Sequence, residues 1–324
     1  MRVLVTGGAG YIGSITAQHL IDEGFDLTIL DDLSTGHRAA LPERAVFIEG
    51  RVQDAAALDR SLQACDAVIH FASLSLVAES VQRPQHYLDE NVGAMESLLA
   101  GLARKGVRNC VFSSSAAIYG QPSVDIIDER QPTAPINPYG ESKLRAEALL
   151  ARACERQGLA ALSLRYFNAC GAVGSRGEDH RPESHLIPRI CAHLQGRLPD
   201  FAVFGDDFPT PDGTAIRDYV HVGDLARAHA LALDRLEAGA FHCVNLGTGI
   251  GSSVGEIVTA ATQVAGRELQ IQHAARREGD PARLVASRAM AERFLGWQPK
   301  QSTPRRILED AWRWHREHPE GYGG

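Results

Sequence analysis

The chain has 324 residues, 44% of them hydrophobic, which suits one large domain or two smaller ones. It carries 33 basic and 40 acidic side chains with no basic block, which argues against nucleic acid as the main partner. No apolar stretch reaches the roughly 18 residues that a membrane span needs, so we expect no membrane partner.

Strands and helices alternate up to about residue 167. Because this alternation is typical of parallel sheets covered by helices on both faces, we predict an α/β fold with a doubly wound, Rossmann-type sheet. After residue 170 the pattern changes to a polar loop, a helix near 185–195 and short mixed elements. We therefore predict a dinucleotide-binding domain over 1–170. Residues 171–324 are predicted to form a smaller α/β part that holds the substrate and returns segments to the sheet. The predicted strands are 2–6, 26–31, 45–49, 66–71, 108–114 and 160–166, and the predicted helices are 11–23, 55–63, 80–104 and 139–157.

A glycine-rich turn directly follows the first predicted strand. Gly7, Gly10 and Gly13 stand three residues apart, and a helix is predicted from residue 11. In this context Gly7 permits a tight turn, Gly10 lets the backbone approach a pyrophosphate, and Gly13 lets the helix pack on the strand. The pyrophosphate would rest on amide groups at the helix N-terminus. We predict a dinucleotide site, with a plain connecting turn as the alternative.

The second predicted strand ends in two aspartates, Asp31 and Asp32. Asp31 lies 18 residues after Gly13, where a carboxylate accepts hydrogen bonds from the adenosine ribose. The same charge repels a 2′-phosphate. Asp31 therefore favours NAD over NADP.

A tyrosine and a lysine stand four residues apart at the start of the helix predicted over 139–157. Tyr139 and Lys143 share a helix face, and Ser115 stands directly at the end of the strand predicted over 108–114. A free phenol has a pKa of about 10, and lowering it by about 3 units takes about 4 kcal/mol. We expect the Lys143 ammonium to supply part of this shift. The tyrosine then removes a hydroxyl proton while a hydride passes to the nicotinamide, with Ser115 sharing the proton path.

Longer motifs surround these residues and run nearly end to end. On them the chain resembles the extended short-chain dehydrogenase/reductase family and, within it, the UDP-glucose 4-epimerases. The resemblance implies a UDP-hexose substrate whose configuration is inverted through a 4-keto sugar, interconverting UDP-glucose and UDP-galactose. NAD takes the hydride and returns it. The motifs are residues 1–6 leading into the glycine turn, 112–120, 137–140, 164–168, 212–214 with 217–222, 245–249 and 276–280.

The resemblance also implies a role for individual residues. Asn168 would contact the nucleotide sugar, Leu186 and Phe204 would flank the uracil, Arg217 and Arg277 would clamp the diphosphate, and Asp280 would hold the uridine ribose. The alternative is that the two arginines form surface ion pairs beside Asp218 and Asp280. The catalytic residues would be Ser115, Tyr139 and Lys143. The cofactor-binding residues would be Gly7, Gly10, Tyr11, Ile12, Gly13, Asp31, Val52, Phe71, Ala72, Asn91, Ser113, Tyr139, Lys143 and Tyr166. The substrate-binding residues would be Ser115, Tyr139, Asn168, His185, Leu186, Phe204, Arg217, Tyr219, Arg277, Asp280 and Leu284.

Three positions set this chain apart from many relatives. Arg51 stands where many carry an aspartate near the adenine, and Ser75 stands where some carry a lysine near the phosphates. Both changes predict NAD that exchanges more readily than in the tightest binders. Leu284 stands where relatives that reject N-acetylated sugars carry a tyrosine. We therefore hypothesise some activity on UDP-GlcNAc and UDP-GalNAc.

Competing functions differ in the groups that they need. Nucleotide-sugar dehydratases and decarboxylases place carboxylates just after the serine strand, where this chain has Ala116 and Ala117. UDP-glucuronate 4-epimerase is a closer rival because it shares the reaction. A non-enzymatic NAD sensor is disfavoured because the tyrosine and the lysine are both retained.

The surroundings of the protein are predicted more coarsely. Six scattered cysteines favour reduced thiols and a cytoplasmic location. The 13 histidines show no metal-like pattern, so we predict no metal site. The resemblance implies a homodimer that packs through helices 80–104 and 139–157.

Overall fold

The computed structural model describes residues 1–277 and 280–323. Its strands are β1 (Arg2–Thr6), β2 (Asp26–Asp31), β3 (Val46–Glu49), β4 (Ala67–His70), β5 (Asn109–Ser115), β6 (Ala160–Tyr166), β7 (Asn168–Cys170), β8 (Ala202–Phe204), β9 (Ile216–Arg217), β10 (Tyr219–His221), β11 (Phe241–Leu246), β12 (Ser252–Ser253), β13 (Gln272–Ala274) and β14 (Arg283–Leu284). Its α-helices are α1 (Tyr11–Asp22), α2 (Ala55–Ser61), α3 (Val77–Gln82), α4 (Pro84–Lys105), α5 (Pro138–Gln157), α6 (Leu186–Leu194), α7 (Val222–Leu233), α8 (Val254–Ala265) and α9 (Pro304–Glu317). Short 3₁₀ turns cover Arg38–Ala40 and Ala116–Tyr119, and a π-helical turn covers Ala291–Leu295.

Seven parallel strands form the main sheet in the order β11-β6-β5-β4-β1-β2-β3. The strand order reverses direction at β1, as in a doubly wound dinucleotide-binding sheet. The predicted α/β fold class is therefore confirmed. Strand β11 comes from the second half of the chain and pairs with β6 from Phe241 opposite Ala161 to Leu246 opposite Tyr166. The division of the chain at residue 170 stays a prediction.

Alternate residues of the strands enter two different cores. Val3 and Val5 of β1 belong to the core that includes residues of α1 and α7, whereas Leu4 belongs to the core that includes residues of α2, α4 and α5. This alternation follows from the twofold periodicity of a strand, and it explains why three consecutive residues of β1, Val3 to Val5, are all apolar. A third core joins α6, α8 and α9 in the C-terminal part.

The ends of most predicted elements lie within one or two residues of those observed. Strands predicted over 45–49, 66–71 and 108–114 are Val46–Glu49, Ala67–His70 and Asn109–Ser115, and the helix predicted over 55–63 ends at Ser61. One prediction was wrong. The helix expected over 80–104 is two helices, α3 and α4, separated at Arg83, because Pro84 occupies the first position of α4 and cannot continue a preceding helix.

Helix α5 begins where its sequence specifies. The Asn137 side chain accepts a hydrogen bond from the Gly140 amide at 2.8 Å, and Pro138 takes the first helical position. This cap fixes the register of the helix, so Tyr139 lies in its first turn and Lys143 follows one turn later. In the described part of the chain, no helix has both the length and the apolar character that a bilayer crossing requires.

A buried ion pair ties α5 to the middle of the sheet. The Glu147 carboxylate accepts hydrogen bonds from Arg165 Nη2 at 2.7 Å and Nε at 3.0 Å, and from the hydroxyls of Ser114 and Ser163 at 2.7 Å each. Glu147 is 3% exposed and Arg165 is 6% exposed. Because its partners belong to β5 and β6, Glu147 fixes α5 against both strands.

Replacing Glu147 with glutamine tests this tie. Glu147→Gln leaves the Arg165 guanidinium buried without a counter-charge, so we expect the free energy of unfolding to fall by about 3–5 kcal/mol. Glu141→Gln is the matched control on the same helix, because Glu141 pairs with Arg145 at an exposed site, 2.7 Å apart. There we expect a loss below about 0.5 kcal/mol. Urea unfolding measures both, and equal losses would contradict the argument.

Candidate active site

A cavity of about 430 Å³ opens at the carboxyl ends of the main-sheet strands. This is the edge where an open parallel sheet binds its ligand, and the volume suits a nucleotide-sized molecule. All fourteen residues predicted to bind the cofactor line it, from Gly7 to Tyr166. Of the predicted substrate residues, six also line it: Ser115, Tyr139, Asn168, His185, Leu186 and Tyr219.

The glycine turn leaves no room for side chains. Gly7 has a φ of +70°, and a Cβ there would lie 2.5 Å from the Ala72 amide nitrogen. A Cβ on Gly13 would lie 2.1 Å from the Gly7 carbonyl oxygen. The first turn of α1 is thus packed directly on the backbone of the loop. This close approach explains the two glycines in terms of backbone contact, and it leaves the start of α1 facing the cavity.

Asp31 is held at the end of β2 by two backbone amides. Its carboxylate oxygens accept hydrogen bonds from the Ala9 and Leu33 amides, each at 2.9 Å. Burial raises the pKa of Asp31, and the two amides oppose that rise. The carboxylate is therefore oriented before any ligand binds, and it lines the cavity beside the glycine turn.

Lys143 is a buried cation at the floor of the site. Its Nζ donates hydrogen bonds to Ser73 Oγ and to the Ser113 carbonyl, both at 2.8 Å, and it lies 4.9 Å from the centroid of the Phe112 ring. Burial lowers the pKa of Lys143 to about 7, and the Glu147 carboxylate opposes that shift. Nζ lies 5.8 Å from the centroid of the Tyr139 ring. The predicted pair is thus brought together on one face of α5.

The Tyr139 phenol does not have the lowered pKa that its sequence position suggests. Among the protein groups, burial raises the pKa of Tyr139, and a hydrogen bond with Ser115 partly offsets that rise. Lys143 Nζ, 5.8 Å from the centroid of the ring, does not reverse this rise in the pKa of Tyr139. Additional positive charge beside the phenol would favour its ionisation.

A neutral histidine stands behind Tyr166. His229 Nδ1 donates to the Leu225 carbonyl at 2.9 Å, so its Nε2 is left to accept the hydrogen bond from the Tyr166 hydroxyl. Burial lowers the pKa of His229 to about 4. The ring of His229 also lies 4.6 Å from that of Phe71, and both Phe71 and Tyr166 line the cavity. The histidine thus sets the orientation of Tyr166 without adding charge.

Five predicted substrate residues do not line the cavity: Phe204, Arg217, Arg277, Asp280 and Leu284. They form a neighbouring group. Arg217 is ion-paired with Asp280, and the Arg277 guanidinium lies 4.1 Å above the Phe204 ring. Leu284 is paired with Arg217 across β14 and β9. Arg217 is buried, so its pair is not the surface ion pair considered above; Asp218 accepts hydrogen bonds from Thr248 and from the amides of Gly249 and Ala286 instead.

Sequence reasoning missed several residues of the cavity wall, among them Ser73, His37 and Tyr322. Ser73 holds Lys143, and His37 stacks on Tyr322 with ring centroids 4.9 Å apart. Gly36 marks the loop of His37, because a Cβ there would lie 2.9 Å from Ala9. Gly36, in a Ser-Thr-Gly run just after the aspartates at the end of β2, was the sequence feature that could have pointed to His37. Tyr322 has no such feature, because it reaches the wall only through the tertiary fold.

Comparison with known proteins places the chain in a family. The family described as the NAD dependent epimerase/dehydratase family matches residues 3–247. The chain belongs to this family. A protein from Corynebacterium glutamicum named UDP-glucose 4-epimerase is 47% identical over 312 residues, covering 96% of this chain and 95% of that protein.

Solved structures agree with this assignment. The UDP-glucose 4-epimerase from Brucella ovis in complex with NAD has a TM-score of 0.93 at 47% identity, covering 96% of this chain and 97% of that one. The enzyme from Bifidobacterium longum in complex with NAD⁺ and UDP has a TM-score of 0.93 at 35% identity, covering 99% and 100%. The resemblance seen in the sequence is therefore confirmed.

Gly7→Ala tests the glycine turn against a matched control. Gly106 has a φ of +71°, close to the +70° of Gly7, but a Cβ on Gly106 meets nothing within 4 Å. Both alanine variants carry about 1–2 kcal/mol of left-handed strain, and only Gly7→Ala also displaces the Ala72 backbone. We expect Gly7→Ala alone to lose NAD, measured as nucleotide released on denaturation per mole of chain. NAD retained equally by both variants would contradict the assignment.

Proposed function

We propose that this chain is an NAD-dependent epimerase that interconverts UDP-glucose and UDP-galactose through a 4-keto sugar. The observation that carries the proposal is the convergence of Tyr139, Ser115 and a buried Lys143 on the cavity that holds the glycine turn. The predicted enzyme activity and NAD cofactor are confirmed by the family and by relatives that share the name UDP-glucose 4-epimerase over nearly the whole chain.

The residues present fit NAD. Asp31 offers a fixed carboxylate for the ribose hydroxyls, and the turn at Gly7 offers a helix N-terminus for the pyrophosphate. When bound, NAD supplies a hydride acceptor and a positively charged ring. That charge is of the sign that ionisation of Tyr139 requires.

Tyr139, Ser115 and Lys143 have different roles in proton transfer. Tyr139 takes the proton from the sugar hydroxyl, and Ser115, which hydrogen-bonds the phenol, shares that proton's path. Lys143 is fixed by Ser73 and the Ser113 carbonyl, so its ammonium stabilises the phenolate from a set position. The same residues act in reverse when the ketone is reduced from its other face, so the enzyme inverts the carbon without net oxidation.

The residues after Ser115 do not include the carboxylates that related dehydratases and decarboxylases need. The residues after Ser115 are Ala116 and Ala117 in a short 3₁₀ turn, so no carboxylate stands there to assist elimination or decarboxylation. UDP-glucuronate 4-epimerase shares the Tyr139 chemistry, and the names of the relatives favour UDP-glucose. An NAD sensor would have no need of the full set of proton-transfer residues.

Two further parts of the proposal concern the state of the protein. Helices α4 and α5 pack side by side, and we propose that their outer faces form the homodimer that the resemblance implies. All six cysteines are free thiols, which fits a cytoplasmic location.

Tyr139→Phe is the direct test of the mechanism. Removing the phenol hydroxyl leaves the ring packed but removes the proton acceptor, so we expect turnover of UDP-galactose to fall about 10²–10⁴-fold. The thermal midpoint should stay within a few degrees. Tyr87→Phe is the matched control, because Tyr87 is a buried tyrosine that bonds Glu79 outside the cavity. A coupled assay for UDP-glucose measures both, and near-normal turnover by Tyr139→Phe would refute the role of the phenol.

Leu284→Tyr tests the breadth of the sugar pocket. We propose that leucine at this position leaves room for an N-acetyl group, so the wild-type enzyme turns over UDP-GlcNAc as well as UDP-glucose. The bulkier tyrosine is expected to lower UDP-GlcNAc turnover by about tenfold or more and to spare UDP-glucose. Leu284→Met conserves volume and serves as the control. Product analysis over a panel of UDP-sugars decides, and no UDP-GlcNAc turnover by the wild type would contradict the proposal.

A further inference from the structure

Four side chains of metal-ligating type converge in the loop between β7 and α6. They are Glu178, His180, Glu183 and His185, and one oxygen or nitrogen from each lies within 4.8 Å of all the others. All four lie in the last part of this loop, in a compact Glu-x-His-x-x-Glu-x-His run. None of the four has a part in the hydride and proton transfer described above.

We propose that these four residues bind one divalent transition-metal ion, for which Zn²⁺ is the best match. This inference opposes the absence of a metal site expected from the histidine spacing. It rests on the geometry of the loop and is independent of the proposed sugar substrate.

The distances among the four ligand atoms suit a four-coordinate ion. His185 Nδ1 lies 2.9 Å from an oxygen of Glu178 and 2.9 Å from one of Glu183. His180 Nδ1 lies 3.2 Å from Glu178 Oε1 and 3.8 Å from Glu183 Oε2. Zinc–ligand bonds of 2.0–2.2 Å in a tetrahedron place neighbouring ligand atoms about 3.4 Å apart. The observed separations lie on both sides of that value, so small side-chain adjustments would complete the site.

Two of the four residues have unmet hydrogen-bonding capacity at the centre of the cluster. His180 Nδ1 and Glu183 Oε2 are buried atoms without a hydrogen-bond partner in the described residues. His180 Nδ1 is near the Glu178 carboxylate, but the pair lacks the alignment of a hydrogen bond. Buried polar atoms are nearly always satisfied, and a metal ion would satisfy both of these at once.

The donor set selects the type of ion. Two imidazole nitrogens and two carboxylate oxygens suit Zn²⁺ in a closed four-ligand site, whereas Ca²⁺ and Mg²⁺ prefer oxygen ligands alone. The charges also balance, because two carboxylates and two neutral imidazoles offset a divalent ion. Glu178 is 5% exposed, so a charge-neutral arrangement matters most at that residue.

The position of the cluster suggests what an ion would do. Glu178, His180 and His185 line the cavity, and Leu186 follows at the start of α6. Between Glu178 and His180, the Asp179 backbone carbonyl contacts His37 of the cofactor wall at 2.9 Å. A bound ion would therefore fix the loop that leads from the cavity wall at His37 to helix α6, which begins at Leu186, a predicted substrate residue. It is a structural site that positions His185 and Leu186.

The first experiment uses the full chain without a histidine tag. After dialysis against a chelator, the protein is loaded with Zn²⁺, passed through gel filtration and analysed for metal by mass spectrometry. We expect one zinc ion per chain and a thermal midpoint raised by about 5 °C over the chelated protein. No retained zinc, with an unchanged midpoint, would show that the four residues form an ion-pair cluster only.

Variants locate the ion. His180→Gln and Glu183→Gln each remove one ligand and should lose the retained zinc. His86→Gln and Glu155→Gln, which lie on α4 and α5 outside the cavity, should keep it. Equal zinc retention by all four variants would place the ion elsewhere and overturn the proposal.

Cobalt substitution covers the case in which the ligand variants fail to fold. Co²⁺ loaded into the chelated wild-type protein is expected to show the intense visible absorption of a four-coordinate ion, displaced by one equivalent of Zn²⁺. A weak six-coordinate spectrum, or none, would overturn the proposal. Metal content and spectrum do not depend on which sugar is the substrate, so failure here is distinguishable from failure of the proposed activity.

Discussion

The buried Lys143 ammonium is the constraint on which the arrangement of the site depends. An amino group that is 1% exposed costs folding free energy, and its lowered pKa of about 7 records that cost. For a lysine with a folded pKa below its unfolded value, the cost is full below about pH 7 and falls as the pH rises towards about 10.5. The fold tolerates it because Ser73 and the Ser113 carbonyl hold Nζ and because the Glu147 carboxylate lies one turn further along α5. The fold thus accepts a loss of folding free energy at Lys143, the residue to which the proposed mechanism assigns a positive charge.

Helix α5 is therefore fixed at two points along its length. Asn137 and Pro138 set where it begins, and Glu147 ties it to β5 and β6. Tyr139 and Lys143 lie between these two points, so neither can shift along the sheet without breaking the cap or the buried pair. The phenol still has a raised pKa in this frame. Under the proposed function, the phenol would become a base when a cationic cofactor lies beside it, so proton transfer would be coupled to cofactor binding.

Local sequence predicted those parts of the molecule that depend on local rules. The sheet followed from the alternation of predicted strands and helices. The glycine turn, Asp31 and the Tyr139–Lys143 spacing predicted residues that line the cavity. The break at Pro84 was missed although the apolar pattern is interrupted there, from Gln82 to His86. Tyr322 and the grouping of Arg217 with Asp280 were beyond reach for another reason: they depend on how segments far apart in the chain pack. The cluster of Glu178 and its neighbours was overlooked because its histidines alternate with carboxylates instead of standing in a familiar ligand pattern.

The stacking of His37 on Tyr322 has a consequence for how the dinucleotide comes and goes. One wall of its compartment is closed by an aromatic contact between the β2 end of the sheet and a segment that follows α9, the last helix described. Parting of these two segments would widen the compartment and so speed the release of a bound ligand. The rate of nucleotide exchange would then report on a local opening equilibrium of the fold, and would follow temperature and denaturant as amide hydrogen exchange does at the same segment.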